Sequence, residues 1–91
     1  MSSFGLTRAA RADLKSIARH TEARWGVRQR NAYLKEVDRI FHSLARNPAM
    51  GTACDEILQG YRRLPHGAHV IYYRQIAGQD VLIVRILHGA L

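Results

Sequence analysis

Cysteine is almost absent from this sequence: Cys54 is the only one among 91 residues. A single thiol cannot form an intramolecular disulfide, and it cannot supply the ligands of a structural zinc site. The five histidines do not follow metal-ligand spacing either; they are His20, His42, His66, His69 and His88. Gly-rich phosphate loops and nucleophile elbows are also missing. The sequence therefore predicts no metal and no cofactor, in a chain suited to a reducing cytoplasm.

Long apolar runs are missing as well, and acidic residues are few. No segment approaches the ~18 apolar residues that span a bilayer, and the N-terminus has no apolar signal-like run. Seven Asp and Glu stand against 14 Lys and Arg, a formal net charge of +7. Such a charge favours an acidic partner, which can be nucleic acid, protein or an anionic membrane surface, unless it only keeps the surface soluble. We expect one cytoplasmic domain over residues 1–91.

Two amphipathic helices are predicted in the N-terminal half. Thr7 fits a helix N-cap, and Gly26 is placed to end the first helix in a left-handed conformation. The second helix runs from Val27 or Arg28 to about Arg46, before Pro48. A stripe of mostly apolar residues, suited to packing, recurs at three- and four-residue steps in both helices: Leu14, Ile17, Ala18, Thr21 and Trp25, then Leu34, Val37, Ile40, Phe41 and Leu44. Both stripes should face the sheet, with Trp25 and Phe41 in the core.

The last third of the chain predicts three antiparallel strands. Runs rich in β-branched and aromatic residues cover Gly60–Leu64, Ala68–Ile76 and Asp80–His88, separated at Pro65-His66-Gly67 and Ala77-Gly78-Gln79. The last run is apolar on both faces: Val81, Ile83 and Leu87 alternate with Leu82, Val84 and Ile86. A strand covered on both faces should be central. Ser3–Leu6 is a candidate edge strand. The predicted fold is α+β, a helical hairpin packed on an antiparallel sheet in the order β-α-α-β-β-β.

The segment Asn47–Gln59 is the only long irregular stretch. Apolar side chains are expected to pin it to the edge of the core: Met50, Cys54, Ile57 and Leu58. Asp55 and Glu56 form the only adjacent acidic pair, which could act as general acid and base. Neighbouring side chains on a loop usually diverge, so we expect Asp55 to cap a short turn by binding backbone amides instead.

Two groups of basic residues are candidates for a functional role. Arg8, Arg11, Lys15 and Arg19 share one face of the first helix, and further cationic groups accompany the strands: Arg62, Arg63, Arg74, Arg85, His69 and His88. Metal-free RNA cleavage needs only a base, an acid and a cation beside the phosphate, which the second group could supply. The alternative is that these arginines lie along the rim of the sheet and pair with acidic groups of a protein partner.

The order of the predicted elements and a series of short sequence motifs resemble those of the RelE/ParE superfamily of bacterial type II toxins, and within it those of the ParE toxins. The matching stretches are Leu6-Thr7-Arg8-Ala9-Ala10, Asp13-Leu14, Ile17-Ala18-Arg19-His20-Thr21, Trp25-Gly26, Asn47-Pro48, Met50-Gly51, Cys54-Asp55-Glu56-Ile57, Gly60-Tyr61-Arg62-Arg63, Gly67–Arg74 and Val84-Arg85-Ile86-Leu87-His88. Each stretch alone is weakly specific. They run in family order across nearly the whole chain.

The resemblance implies a toxin that inhibits DNA gyrase, blocks replication and has no catalytic activity of its own. A cognate antitoxin would neutralise it by laying an acidic C-terminal segment over the hairpin and sheet. Under this reading the first-helix residues Arg8, Arg11, Lys15 and Arg19 bind the antitoxin. The residues expected to bind the target are Arg62, Arg63, Arg74, Arg85 and His88.

The ribonuclease branch of the superfamily, typified by RelE and YoeB, implies a different activity. Its members cleave messenger RNA on the ribosome, and the equivalent catalytic residues here would be Arg62, Arg74 and His88. However, no tyrosine follows His88, and the helices carry only Lys15 and Lys35, unlike the lysine-rich helices of that branch. Both departures favour the gyrase reading. A third alternative is an inactive module that only partners its antitoxin.

Overall fold

The computed structural model describes residues 3–76 and 80–89 of the chain. Its elements are β1 (Phe4–Leu6), α1 (Arg8–Trp25), α2 (Val27–Arg46), a 3₁₀ turn (Pro48–Met50), β2 (Thr52–Ala53), β3 (Tyr61–His66), β4 (His69–Gln75) and β5 (Val81–His88). The α+β prediction is confirmed, because a helical hairpin packs on one sheet. The break predicted at residues 77–79 lies outside the described residues. Neither described helix combines the length and apolarity needed to cross a membrane.

The sheet has five strands in the order β1-β5-β4-β3-β2. Its last three strands are antiparallel as predicted, but β1 runs parallel to β5, with Phe4 opposite Val81. The sheet is therefore mixed rather than antiparallel throughout. Parallel neighbours need a crossover connection, which the helical hairpin begins as it passes over one face. β5 lies between β1 and β4, in the interior position that its apolar sequence predicts.

Local sequence sets the helix boundaries. The Thr7 hydroxyl accepts a hydrogen bond from the Ala10 amide at 3.0 Å, which confirms the N-cap. Gly26 alone separates the helices, with φ of 96°, a value that glycine adopts readily. Its N–H donates to the Glu22 carbonyl at 2.8 Å and closes the last turn of α1. α2 ends at Arg46, as the position of Pro48 requires.

The core lies between the hairpin and the sheet. Its most completely buried large side chains include Leu44 of α2 and Ile71, Tyr73 and Ile83 of the strands. Phe41 is buried as predicted, but Trp25 is 65% exposed, so its assignment to the core is wrong. Helical spacing puts Trp25 in line with the apolar stripe. As the last residue of α1, however, it lies under the Arg24 guanidinium, 5.3 Å from the ring centroid, at the mouth of a cleft.

Pro65 does not break the sheet, contrary to the sequence prediction. β3 continues through Pro65, which lies opposite Val70, to His66. On its other side β3 pairs with β2 only at Arg62 and Arg63. Pro65 therefore lies on an exposed strand edge, where a missing N–H leaves no ladder hydrogen bond unmade.

A bulge in β5 changes which of its residues face the core. Tyr72 lies opposite Arg85, whereas the next residue, Tyr73, lies opposite Ile83, so Val84 is an extra residue. The extra residue shifts the alternation of side chains. Ile86 consequently joins Val81 and Ile83 in the core, although strict alternation predicts it on the opposite face.

Candidate functional site

The sheet presents one face to the helices and leaves the other uncovered. The uncovered side, which we call the open face, carries the residues that alternate with the buried ones: Tyr61, Arg63, Val70, Tyr72, Arg74, Arg85 and Leu87. Three of the five residues predicted to bind a target are therefore on this face. The remaining two, Arg62 and His88, are positioned by other contacts.

Two shallow grooves cross the open face and share Tyr72. The first, of about 260 Å³, is mainly apolar and is lined by Ile57, Leu58, Tyr61, Tyr72, Arg85 and Leu87. The second, of about 450 Å³, is more polar and is lined by Arg63, Pro65, Val70, Tyr72, His88 and Gly89. Together they join aromatic and aliphatic surface to arginine side chains, a composition typical of protein interfaces.

The loop before β3 contributes apolar side chains to this face, which the sequence did not predict. Ile57 and Leu58 are 57% and 52% exposed, and Met50 is exposed as well, so their predicted role as core anchors is wrong. Of the four predicted anchors only Cys54 is buried, and burial raises the pKa of its thiol. Asp55 accepts a hydrogen bond from the Gly60 amide at 2.7 Å, which confirms its turn-capping role.

Arg62 faces the helical side of the sheet and is held by the loop. Its guanidinium donates to the Gly51 carbonyl at 2.7 Å. Gly51 in turn donates its N–H to the Tyr73 hydroxyl at 2.7 Å, and that hydroxyl donates to the Pro48 carbonyl at the same distance. Arg62 therefore belongs to the hydrogen-bond network that fixes the loop.

Arg85 forms an ion pair with α1. Its guanidinium donates to both carboxylate oxygens of Asp13, at 2.8 and 3.0 Å, and Asp13 also accepts the Ile86 amide at 2.9 Å. The Arg85 hydrogen bond is the main reason why the pKa of Asp13 lies below its usual value. The Thr7 hydroxyl meanwhile donates to the Val84 carbonyl at 2.7 Å. The side chains of Asp13 and Thr7 thus form hydrogen bonds with backbone groups of β5 in the part of the strand that extends beyond its pairing with β1.

His88 lies in a histidine cluster at the far end of the sheet, next to the tip of the helical hairpin. It is opposite His69, with ring centroids 5.7 Å apart. His69 Nδ1 lies 2.9 Å from the Tyr33 hydroxyl, and Tyr33 stacks on His66. Burial, followed by the imidazoles of His88, His66 and His20, lowers the pKa of His69. Sequence spacing gave no signal of this cluster, because its members come from α1, β3, β4 and β5.

The three residues proposed for RNA cleavage do not converge. Arg62 faces the helices, whereas Arg74 is on the open face. His88 pairs with His69, which is five residues from Arg74 on β4, or about 17 Å at the usual rise of a strand. A reacting phosphate cannot contact all three groups across that separation.

The basic row on α1 is arranged as predicted. Arg8, Arg11, Lys15 and Arg19 are all exposed, on the side of the helix opposite to buried Ala10 and Ile17.

Among the described residues, no group of three or more His, Cys, Asp or Glu side chains is arranged to hold a metal ion.

Comparison with known proteins gives a consistent result. Residues 5–90 match the family described as ParE toxin of the type II toxin-antitoxin system parDE. The chain is 42% identical to Toxin ParE1 of Mycobacterium tuberculosis strain H37Rv, over 96% of this chain and 89% of that protein. It is 38% identical to Toxin ParE1 of Caulobacter vibrioides, over 100% of this chain and 93% of that protein.

Solved structures share the fold. A chain of the chromosomal ParDE toxin-antitoxin system from P. aeruginosa matches with a TM-score of 0.80 and 23% identity, covering 99% of this chain and 98% of that one. A chain of the toxin-antitoxin complex RelBE2 from Mycobacterium tuberculosis matches with a TM-score of 0.70 and 23% identity, covering 98% and 93%.

Proposed function

Because this chain belongs to the ParE toxin family of type II toxin-antitoxin systems, we propose that it inhibits DNA gyrase and blocks replication. The toxin acts by binding, without catalysis of its own, and traps gyrase on cleaved DNA. The proposal places its action in the cytoplasm, where replication takes place. A cognate antitoxin neutralises the toxin through an acidic segment.

The observation that carries the proposal is the chemistry of the open face. Arginines and tyrosines surround exposed aliphatic side chains there, including Leu87, which is 38% exposed. Arginine and tyrosine are enriched among the residues that dominate protein-protein affinity. We therefore assign gyrase binding to Arg63, Arg74 and Arg85 of the open face, with His88 at its end. Arg62 supports this surface by holding the loop through Gly51.

The antitoxin is proposed to bind the basic row on α1. Four exposed cations on one helix face form a linear match for an acidic segment. The net charge of +7 adds long-range attraction, which accelerates association more than it strengthens the final complex. Apolar contacts elsewhere then supply most of the affinity.

A supercoiling assay with purified gyrase tests the proposal. Addition of the toxin should reduce supercoiling and accumulate linear DNA, and pre-incubation with the antitoxin should restore supercoiling. A quinolone serves as the positive control for trapped, cleaved DNA. Unaffected gyrase, together with cleavage of ribosome-bound messenger RNA by the same preparation, would reject the proposal in favour of the ribonuclease function.

A further inference from the structure

Three histidines form a row across one end of the sheet. His66 of β3 lies opposite His69 of β4, which in turn lies opposite His88 of β5. Residues directly opposite each other on neighbouring strands point to the same face of a sheet, and His69 is in phase with buried Ile71, so the row faces the helical hairpin. His20 of α1 lines a cleft of about 230 Å³ together with His69 and His88 and completes the histidine cluster.

Tyr33 of α2 joins the hairpin to this row. Its hydroxyl lies 2.9 Å from His69 Nδ1, and its ring stacks on that of His66, with centroids 5.7 Å apart. Burial raises the pKa of the Tyr33 phenol, so the hydroxyl keeps its proton and acts as the donor. A neutral His69 accepts this bond at Nδ1 and carries its own proton on Nε2. The bond therefore ties the second turn of α2 to the first residue of β4.

A proton on His69 is incompatible with this arrangement for two reasons. The imidazolium has N–H donors at both nitrogens, so Nδ1 can no longer accept from Tyr33. The new positive charge also lies among other imidazoles in a half-buried position, where water screens it less than at the surface. Burial, followed by the imidazoles of His88, His66 and His20, accordingly lowers the pKa of His69. The packing of the hairpin on the sheet therefore favours a neutral His69.

The other charged groups near His69 do not compensate for a proton there. Titratable or charged side chains come from every element packed against it: His20 and Arg24 of α1, Tyr33 and Glu36 of α2, His66 of β3 and His88 of β5. The Glu36 carboxylate lies 3.7 Å from His66 Nε2 and so faces that imidazole instead of His69. Glu22 of α1 pairs with Arg30 of α2. Among the described residues, no carboxylate lines the clefts that adjoin His69.

We propose that the histidine cluster is a proton-sensitive latch: it holds the tip of the hairpin, residues 20–33, on the end of the sheet while His69 is neutral and releases it when His69 is protonated. The released state exposes His69 to water and binds a proton that the closed state excludes, so acid favours release.

The pH range of the latch follows from the lowered pKa of His69. Its contribution to the closed state is complete above the pKa of an unfolded histidine, about 6.5, and is lost as the pH falls below that value. Carboxylates stay ionised down to about pH 5, so the ion pair of Asp13 does not contribute in this range.

Amide hydrogen exchange of the full chain, without any partner, tests the latch at about pH 7.5 and about pH 5.5. Protection factors are compared, because they correct for the intrinsic dependence of exchange on pH. At the lower pH the hydrogen-bonded amides of residues 20–33 should lose protection about fivefold or more and should be less protected than those of β5, because the tip opens without global unfolding. Equal protection of the tip and of β5 at the lower pH would show that the protein opens only as a whole, and would overturn the proposal.

The His69→Asn variant identifies the group that titrates. An asparagine amide oxygen can accept from Tyr33 near the position of Nδ1, but it does not take up a proton in this pH range. The loss of tip protection between the two pH values should therefore shrink to less than about twofold. His42→Gln, an exposed change on α2, is the matched control and should retain the full loss seen in the wild type. A loss that persists unchanged in His69→Asn would contradict the latch.

Tyr33→Phe gives a second test that does not depend on a change at His69. It removes the hydrogen bond but keeps the ring that stacks on His66, so the tip should lose protection several-fold already at about pH 7.5. Tyr72→Phe, on the open face, should leave tip protection unchanged. Full tip protection in Tyr33→Phe would show that this bond does not hold the hairpin and would reject the latch. The experiment contains neither gyrase nor antitoxin, so its outcome is independent of the proposed toxin function.

Discussion

The Tyr73 hydroxyl is a polar group held inside the core by two hydrogen bonds. Tyr73 is fully buried, and its hydroxyl both donates to the Pro48 carbonyl and accepts from the Gly51 amide, at 2.7 Å each. Burial raises the pKa of its phenol, which keeps the hydroxyl protonated. The network ties β4 to the loop that supports the open face.

Tyr73→Phe should destabilise the protein by about 1–3 kcal/mol, because it leaves the buried Gly51 amide and the Pro48 carbonyl without their partner. Urea unfolding monitored by circular dichroism measures the change. Tyr72→Phe, on the open face, is the matched control and should shift the unfolding free energy by less than about 0.5 kcal/mol. Similar effects of the two substitutions would contradict the role assigned to the Tyr73 hydroxyl.

Position 51 requires glycine because its surroundings leave no space for a side chain. A Cβ at this position would overlap the Tyr73 hydroxyl and would lie only 2.7 Å from the Arg63 carbonyl oxygen. Gly51→Ala should therefore lower the unfolding free energy by about 1–3 kcal/mol. At Gly5 a Cβ would lie 3.8 Å from its nearest neighbour, on Leu82, which is an ordinary contact. Gly5→Ala is accordingly expected to be tolerated in the same unfolding experiment.

Asp13 should make stability depend on pH. Its pKa is lowered in the folded state, so its contribution is fully present above the pKa of an unfolded aspartate, about 3.9, and is lost as the pH falls towards the folded-state value. Asp13→Asn should cost only about 1 kcal/mol at neutral pH, because solvent screens the half-exposed Arg85, and the difference from wild type should shrink at about pH 3. Urea unfolding at both pH values measures this. Asp38→Asn removes an exposed carboxylate that lies 3.5 Å from His42, and as the matched control it should change the unfolding free energy at neutral pH by less than about 0.5 kcal/mol.

Helix α1 has three sides, each with different surroundings. Ala10 and Ile17 face the core, Asp13 contacts the edge of β5, and the basic row faces solvent. The same helix therefore stabilises the sheet and carries the basic row that we propose binds the antitoxin. Changes on its exposed side can alter binding without unfolding the protein.

Charge reversal on the exposed side of α1 should slow antitoxin binding. Arg11→Glu combined with Lys15→Glu is expected to reduce the association rate by about tenfold or more at low salt, and by less at high salt, where charges are screened. Stopped-flow association with the antitoxin measures the rate. The control variant, Arg28→Glu combined with Arg39→Glu on α2, changes the net charge by the same amount at a different site. An equal reduction there would mean that net charge, and not the basic row, guides the antitoxin.

Sequence reasoning located the elements whose signals are local. The N-cap at Thr7, the end of α2 before Pro48 and the turn capped by Asp55 depend on residues within a few positions of each other. It failed where pairing between strands that are distant in the sequence determines the structure. Pro65 is accommodated because β2 ends before it, and Ile86 reaches the core because of the bulge at Val84. Likewise, the histidine cluster and the exposure of Trp25 follow from how the elements meet.

The whole molecule separates its proposed binding surfaces. The basic row lies on the helical side, whereas Arg63 and Arg74 lie on the open face of the sheet. Arg63→Glu combined with Arg74→Glu should reduce gyrase inhibition by about tenfold or more, while slowing antitoxin association no more than the α2 control variant does. Supercoiling assays and association rates on one preparation measure both. Loss of antitoxin binding in this variant would indicate that the two partners share the open face.

β1 and β5 are neighbours in space although they are separated by nearly the whole chain. The Thr7 amide donates to the Ile83 carbonyl at 3.0 Å, and Phe4 pairs with Val81. A nascent chain that has completed the helical hairpin still lacks the strands on which its apolar stripes pack. The core cannot close until Val81–Ile83 have left the ribosome, because contacts so distant in sequence form late. A fragment released by interrupted translation lacks the strand that completes the core, so we expect it to be unfolded and open to proteolysis.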